Sequence, residues 1–124
     1  MLKADVFNAR CASRNVLDLL AEKWVLLVIH SLAGSAKRTS ELRRHLDGVS
    51  EKMLIQTLRN LERHGFVSRH SFAEVPPRVE YRLTALGDRL SLLVKALDDW
   101  VEENCSEILS VQQAFDAQND PPAV

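Results

Sequence analysis

The sequence predicts a fold that is mainly α with a small β-hairpin, and three observations carry that reading. Between Thr39 and Arg63, a short helical pattern, an Asp47-Gly48 turn and a longer amphipathic pattern follow one another. After Gly65, two runs of β-favouring residues flank a proline-containing tip. On either side lie apolar helical stretches with more leucine than so small a centre needs to close its core. Short helix, turn, longer helix and hairpin together make a winged helix-turn-helix, here with extra N- and C-terminal helices suited to dimerisation.

At 124 residues and 46% hydrophobic content, the chain is sized for a single packed domain over 1–124. Its longest apolar run, Trp24 to Ile29, is far short of the roughly 20 residues of a membrane span and lacks a signal-peptide context. A cytoplasmic protein with no membrane partner is therefore expected. Cys11 and Cys105 form no CxxC, and the four histidines show no ligand spacing, so no metal or other cofactor is expected. No Gly-rich phosphate loop and no Ser-His-Asp spacing point to an enzyme.

Net charge is −1, but its distribution is uneven. From Lys37 to Arg82 there are ten Lys/Arg against six Asp/Glu, a local +4, while the remainder carries −5. A basic centre between acidic ends fits a nucleic-acid reader held by a separate scaffold, although chance variation on a charged surface has the same arithmetic.

Residues 1–12 read as an arm with little periodicity. A first helix begins at Ser13 or Asn15 and carries Val16, Leu17, Leu19 and Leu20. A second, Trp24 to Leu32, is apolar nearly all round and belongs at the centre of the domain. Gly34 ends it, and 35–38 form a polar connector. The helix-turn-helix occupies 39–64. Its first helix, Thr39 to Leu46, has Glu41 in the first turn, favourable to the helix dipole, with Leu42 and Leu46 pointing inward.

The second helix of the motif carries the functional expectation. Ser50 is a good N-cap, because its hydroxyl can accept from a free backbone N–H of the first turn. Gly65 suits the left-handed residue that ends many helices. Leu54, Leu58 and Leu61 form an apolar stripe, and Lys52, Gln56, Arg59 and Arg63 fall opposite it. Such a face offers cations for phosphates and an amide able to pair with adenine, so double-stranded DNA is the expected partner. A merely solvated face would have the same composition; the turn and hairpin that flank this one favour DNA. A winged-helix module that meets another protein through the same face, without DNA, is the competing function, and salt dependence separates the two.

The wing spans 66–83. Phe66 to Phe72 and Val79 to Leu83 read as strands, and Ala73 to Arg78 as a tip stiffened by Pro76 and Pro77. Arg78 is expected there as an exposed probe of the minor groove or of phosphates; an ordinary rigid hairpin is the alternative. Thr84 can cap a helix that runs to about residue 103 with Leu86, Leu90, Leu93, Val94, Leu97, Trp100 and Val101 on its apolar face. A last stretch holds Ile108, Leu109, Val111 and Phe115, completing a C-terminal pair of helices over 84–117. Residues 118–124 read as a frayed tail. This apolar surface either covers the core or pairs with the N-terminal helix to form a homodimer. Helix-turn-helix dimers hold two readers about 34 Å apart and bind near-palindromic sites.

Several segments then stand out together. They are Cys11 before the first helix, Leu17-Asp18-Leu19-Leu20, Lys23-Trp24, Ser40-Glu41-Leu42-Arg43-Arg44, Ser50 to Leu54, Gln56 to Arg63, Gly65-Phe66-Val67, Glu74 to Tyr81, and Leu83 to Gly87. Over about residues 11 to 104 the chain resembles the HxlR-type subgroup of MarR-like winged-helix transcriptional regulators, most specifically in the Val75-to-Tyr81 wing. The resemblance implies a homodimeric transcription factor, repressor or activator, whose dimer is built from the first and last long helices. It places Ser50, Lys52, Met53, Gln56 and Thr57 nearest the bases, and Arg43, Arg44, Arg59 and Arg78 on phosphates or in the minor groove. Thr39, Ser40, Asn60 and Arg63 complete the expected DNA-binding set.

Some members of that subgroup use the early cysteine as a sensor of oxidants or reactive electrophiles, and Cys11 occupies its position. The chain departs from the subgroup at Ala12, where proline is usual, and at Ala21-Glu22, where two glycines are common. Arg10 and Arg14 flank Cys11 and a helix starts nearby, features that favour the reactive thiolate. An oxidant or small-molecule effector follows from that reading; a buried thiol packed at the dimer interface is the alternative.

Overall fold

The computed structural model describes residues 3–119. The elements are α1 (Ala12–Leu20), α2 (Lys23–Leu32), α3 (Thr39–His45), α4 (Glu51–Arg63), β1 (Val67–Phe72), β2 (Arg78–Leu83) and α5 (Ala85–Asn119). The mostly helical chain with one antiparallel hairpin has the winged helix-turn-helix architecture that the sequence predicts. Contacts within the chain divide it into two compact units, with the boundary inside α5 between Val94 and Lys95.

In the first unit the core gathers around α2. Val25, Val28 and Ile29 are completely buried, as are Leu42 of α3 and Leu54, Leu58 and Leu61 of α4. The apolar stripe of α4 is therefore what seats it, and truncating any one of these leucines to alanine would cost about 2–5 kcal/mol. Ser50 caps α4, its hydroxyl accepting from the Met53 N–H at 3.1 Å. Gly48, in the turn between α3 and α4, and Gly65, just beyond α4, have φ of 90° and 80°, values that glycine adopts without strain.

The hairpin pairs Val67 with Leu83 through to Phe72 with Arg78. Lys37, in the connector before α3, adds a short third edge. Its N–H donates to Tyr81 O at 2.9 Å and its carbonyl accepts from Tyr81 N at 2.8 Å. The Lys37 Nζ donates to the carbonyl of buried Ser31 and to Ser35 Oγ. Connector, α2 and wing are tied at one residue.

The base of the wing is locked onto α5. Thr84 N donates to Phe66 O at 3.0 Å, the Thr84 hydroxyl donates to Gly65 O, and Thr84 Oγ1 accepts from Gly87 N at 3.1 Å. Thr84 thus caps α5, as its sequence position suggests.

Two stretches of the sequence reading change at the C-terminus. The expected pair of helices after Thr84 is one helix, α5, running to Asn119. No glycine or proline lies between Gly87 and Pro121, so nothing breaks it where the apolar pattern pauses. The expected frayed tail is helical at Gln118 and Asn119, and its remaining residues, 120–124, lie outside the described ones.

Candidate nucleic-acid interface

The exposed side of α4 is assembled as its periodicity dictates. Lys52, Gln56, Arg59 and Arg63 are all exposed, opposite the buried leucines. Lys52, Gln56, Arg59 and Asn60 line a shallow depression together with Glu51 and Ile55. Met53 and Asn60 sit on the flank of this row, beside a second hollow floored by Trp24 of α2. Lys23 lies over the Trp24 ring, 4.4 Å from its centroid.

Thr57 adds almost nothing to this surface, touching only the bottom of the hollow beside Trp24. It is 2% exposed and turned inward with Leu54, Leu58 and Leu61. The expectation that it lies nearest the bases is corrected: an inward side chain on a seated helix reaches no groove. Ser50 is exposed, but its hydroxyl is committed to the cap.

From α3, Ser40, Arg43 and Arg44 are exposed and with Val49 edge another shallow depression, while Thr39 is half-buried at the helix start. Glu41 accepts from the Arg38 N–H at 3.0 Å, closing the first turn. Arg43 reaches Glu51 at 3.9 Å, linking α3 to the first turn of α4. Among the described residues, no ion pair engages Arg44, Lys52, Arg59 or Arg63. These four cations are available to an external anion.

The wing differs from its sequence reading. Arg78 is not part of an open tip but the first residue of β2, paired with Phe72. Its guanidinium stacks 4.1 Å above the Phe72 ring and reaches Glu74 at 3.3 Å and Glu80 at 3.7 Å, leaving the side chain only 28% exposed. The tip, residues 73–77, is exposed throughout, and Val75 is fully so. Glu80 also reaches Arg82 at 3.9 Å. Neither Glu80 nor Arg82 was singled out from the sequence. Period-two spacing from Arg78 puts both on its face of the strand, which is the signal that could have found them.

At the other end of the chain, Cys11 is half-buried at the N-cap of α1. Its sulfur accepts from the Ser13 hydroxyl at 3.1 Å and from the Asp5 N–H at 3.4 Å. These donors, the Ser13 hydroxyl foremost, hold the thiol below its ordinary pKa. The flanking arginines are not the cause: Arg14 pairs with Asp18 at 3.7 Å and donates to Val6 O. Among the described residues, no cluster of His, Cys, Asp and Glu could hold a metal ion, and no helix is long and apolar enough to cross a membrane.

Comparison with known proteins bears on this geometry. Residues 19–109 match the family described as HxlR-like helix-turn-helix. The chain is 44% identical over 110 residues to the HTH-type transcriptional regulator YtfH of Escherichia coli (strain K12), covering 89% of this chain and 87% of that protein. The structure of the transcriptional regulator ytfH from Salmonella typhimurium is similar with a TM-score of 0.84 at 43% identity, over 90% of this chain and 99% of that one. The redox regulator HypR in its oxidised form is similar with a TM-score of 0.70 at 35% identity, over 76% of this chain and 97% of its own.

Proposed function

The chain belongs to the HxlR-like helix-turn-helix family and is a transcriptional regulator of the helix-turn-helix type; from that premise we propose that it binds a near-palindromic promoter site as a homodimer, with α4 in the major groove. One observation carries the reading: Lys52, Gln56, Arg59 and Arg63 stand in an unpaired, exposed row over leucines that hold α4 in place. The row supplies phosphate-binding charge and one bidentate amide, and α3 adds Arg43 and Arg44 beside it.

Dimerisation is supported by apolar side chains that each unit leaves in water. In the second unit Leu97, Trp100, Ile108, Val111 and Phe115 follow helical spacing and are all exposed, and in the first unit Phe7, Leu17, Leu92 and Leu93 are. Exposed apolar surface on this scale marks a protein contact. A symmetric pair would present two copies of α4 about one DNA turn apart.

An oxidant or electrophile acting at Cys11 is the effector we propose. The polarised, partly accessible thiol supports it, as does the likeness to HypR, described as a redox regulator.

The test is a titration of the purified protein against duplex DNA from upstream of its own gene, by fluorescence anisotropy across a salt series. Affinity should fall steeply with salt. A Gln56→Ala, Arg59→Ala double variant should bind at least about tenfold more weakly, the loss of one good base contact and one phosphate contact. Equal binding by parent and double variant refutes the assignment of α4. Mild oxidation should change operator binding in the parent and not in Cys11→Ser; equal responses remove Cys11 as the sensor.

A further inference from the structure

The outer face of the wing carries a second set of charges that cancel one another. Alternation along β2 puts Arg78, Glu80 and Arg82 on one side of the hairpin, away from buried Tyr81. Across the ladder, Phe72, His70 and Ser68 face them in that order. Glu80 stands between the two arginines, one carboxylate oxygen 3.7 Å from Arg78 and the other 3.9 Å from Arg82, and it is only 21% exposed. Glu74 closes the far side of Arg78 at 3.3 Å. Two arginines and two glutamates leave this face with no net charge, in contrast to Arg44, Lys52, Arg59 and Arg63 of α3 and α4, which no ion pair among the described residues engages.

The pairs are also loose. Separations of 3.3 to 3.9 Å exceed those of a charge-assisted hydrogen bond, and the Arg78 Nε has no partner. Such contacts are exchangeable for a phosphate that arrives in the right place.

We propose that Glu80 is a specificity-setting residue: it positions Arg78 and Arg82 and competes with phosphate for both, so that the wing engages only where docking of α4 presents a phosphate in register. This rests on the DNA-binding reading above and adds a role to a residue that touches no base in it. Non-specific duplex, which offers phosphates at variable offsets, does not displace the carboxylate. Operator, held in one register by α4, does.

The experiment compares parent, Glu80→Gln, Arg82→Gln and the double variant on an operator duplex and on a scrambled duplex of equal length, each across a salt series. In Glu80→Gln, affinity for the scrambled duplex should rise more than affinity for operator, lowering the specificity ratio. Each newly released arginine that meets a phosphate steepens the salt slope by about 0.9, so the gain should shrink about 3-fold (one arginine) to 10-fold (two) between about 50 and 200 mM salt. Arg82→Gln should be silent on scrambled DNA in the parent, where Glu80 holds Arg82. In the Glu80→Gln background the same change should undo part of the gain. That silence tests the proposal even if Glu80→Gln does not fold.

Asp116→Asn, at an exposed carboxylate of α5 in no ion pair among the described residues, removes the same charge away from the helix-turn-helix and wing and should leave the slope unchanged. An unchanged scrambled-duplex affinity and slope in Glu80→Gln overturn the proposal. So does an equal slope change in Asp116→Asn, or a loss of scrambled-duplex binding in Arg82→Gln alone. A parent that binds neither duplex overturns the DNA reading and this one together; a parent that binds both while Glu80→Gln matches it overturns this one only.

Discussion

Replacing Gly87 with alanine sets two effects of opposite sign against each other. Within a helix, alanine is favoured over glycine by about 1 kcal/mol, so propensity alone predicts a more stable protein. The structure predicts the reverse. A Cβ on Gly87 would lie 2.1 Å from the Phe66 carbonyl oxygen, 3.1 Å from its carbon and 3.2 Å from Leu83 Cδ2. An ordinary C···O contact is about 3.3 Å or more, so a gap of about 1.2 Å must open. Leu83 can rotate away, but the Phe66 carbonyl cannot, because it accepts from Thr84 N at 3.0 Å on a buried residue. Overpacking costs about 1–3 kcal/mol. Weakening the bond to a buried carbonyl costs a further 1 kcal/mol or so. After the propensity gain, the net loss is about 1–3 kcal/mol, a fall in melting temperature of roughly 4–12 °C for a chain of this size. Thermal unfolding followed by circular dichroism measures it. Ala85→Gly, at an exposed position of the same helical turn, serves as the propensity-only control and should lose only about 1 kcal/mol. A Gly87→Ala protein that melts at or above the parent's temperature would show that α5 does not approach the wing base as described.

Ser50→Ala removes the side-chain acceptor that caps the start of α4 and should cost about 1 kcal/mol in denaturant unfolding, with Ser50→Asp retaining most of it. Thr57→Val should leave operator affinity unchanged while Gln56→Ala weakens it, which separates the inward from the outward side of α4 in one binding assay. In a Cys105→Ser background, the pH profile of Cys11 alkylation should lie below that of an ordinary thiol, and Ser13→Ala should move it upward, since the hydroxyl stabilises the thiolate. Linkage has the matching sign: the lowered thiol pKa stabilises the native state above the unfolded thiol's pKa, an increment lost as pH falls through the native value.

Much of the architecture was legible because its signals are local. Ser50, Gly48 and Gly65 mark the bounds of α4 within a few residues of where they act, and Leu54, Leu58 and Leu61 fix its inward side without reference to the rest of the chain. Thr57 was legible by the same geometry: it lies three residues after Leu54 and four before Leu61, inside the arc those leucines define. Its expected place nearest the bases came from resemblance, and the helical angle should have outweighed it. The break expected after about residue 103 falls where mostly polar residues, 102–107, separate Val101 from Ile108. Polar residues interrupt an apolar stripe without interrupting a helix, and no breaker is present. The partners of Cys11 were out of reach for another reason. Which donors meet its sulfur depends on how the arm before α1 turns back, and charge adjacency in sequence pointed to Arg10 and Arg14, of which Arg14 bonds elsewhere and neither lowers the thiol.

The wing shows what a charge count over a segment conceals. Of the ten cations between Lys37 and Arg82, those on α3 and α4 are mostly unpaired, whereas Arg78 and Arg82 are held by glutamates of the same hairpin. The helix-turn-helix, 39–64, holds five Lys/Arg against four Asp/Glu, so what it concentrates is unpaired cations rather than net charge. Contact with the phosphates of any duplex should originate there, with Arg78 and Arg82 adding little until a phosphate is brought to them. This divides the work physically: unpaired cations on α3 and α4 govern phosphate contact and salt dependence, while short-range exchange at Glu80 governs whether the outer face of the wing joins. Accordingly, Arg59→Ala should lower affinity for operator and scrambled DNA by similar factors, because a phosphate contact carries no sequence information. Arg78→Ala should lower operator affinity more than scrambled affinity. Equilibrium titrations of both variants on both duplexes decide it, and similar ratios for the two arginines would mean that the wing, despite its paired glutamates, acts as one more non-specific cation.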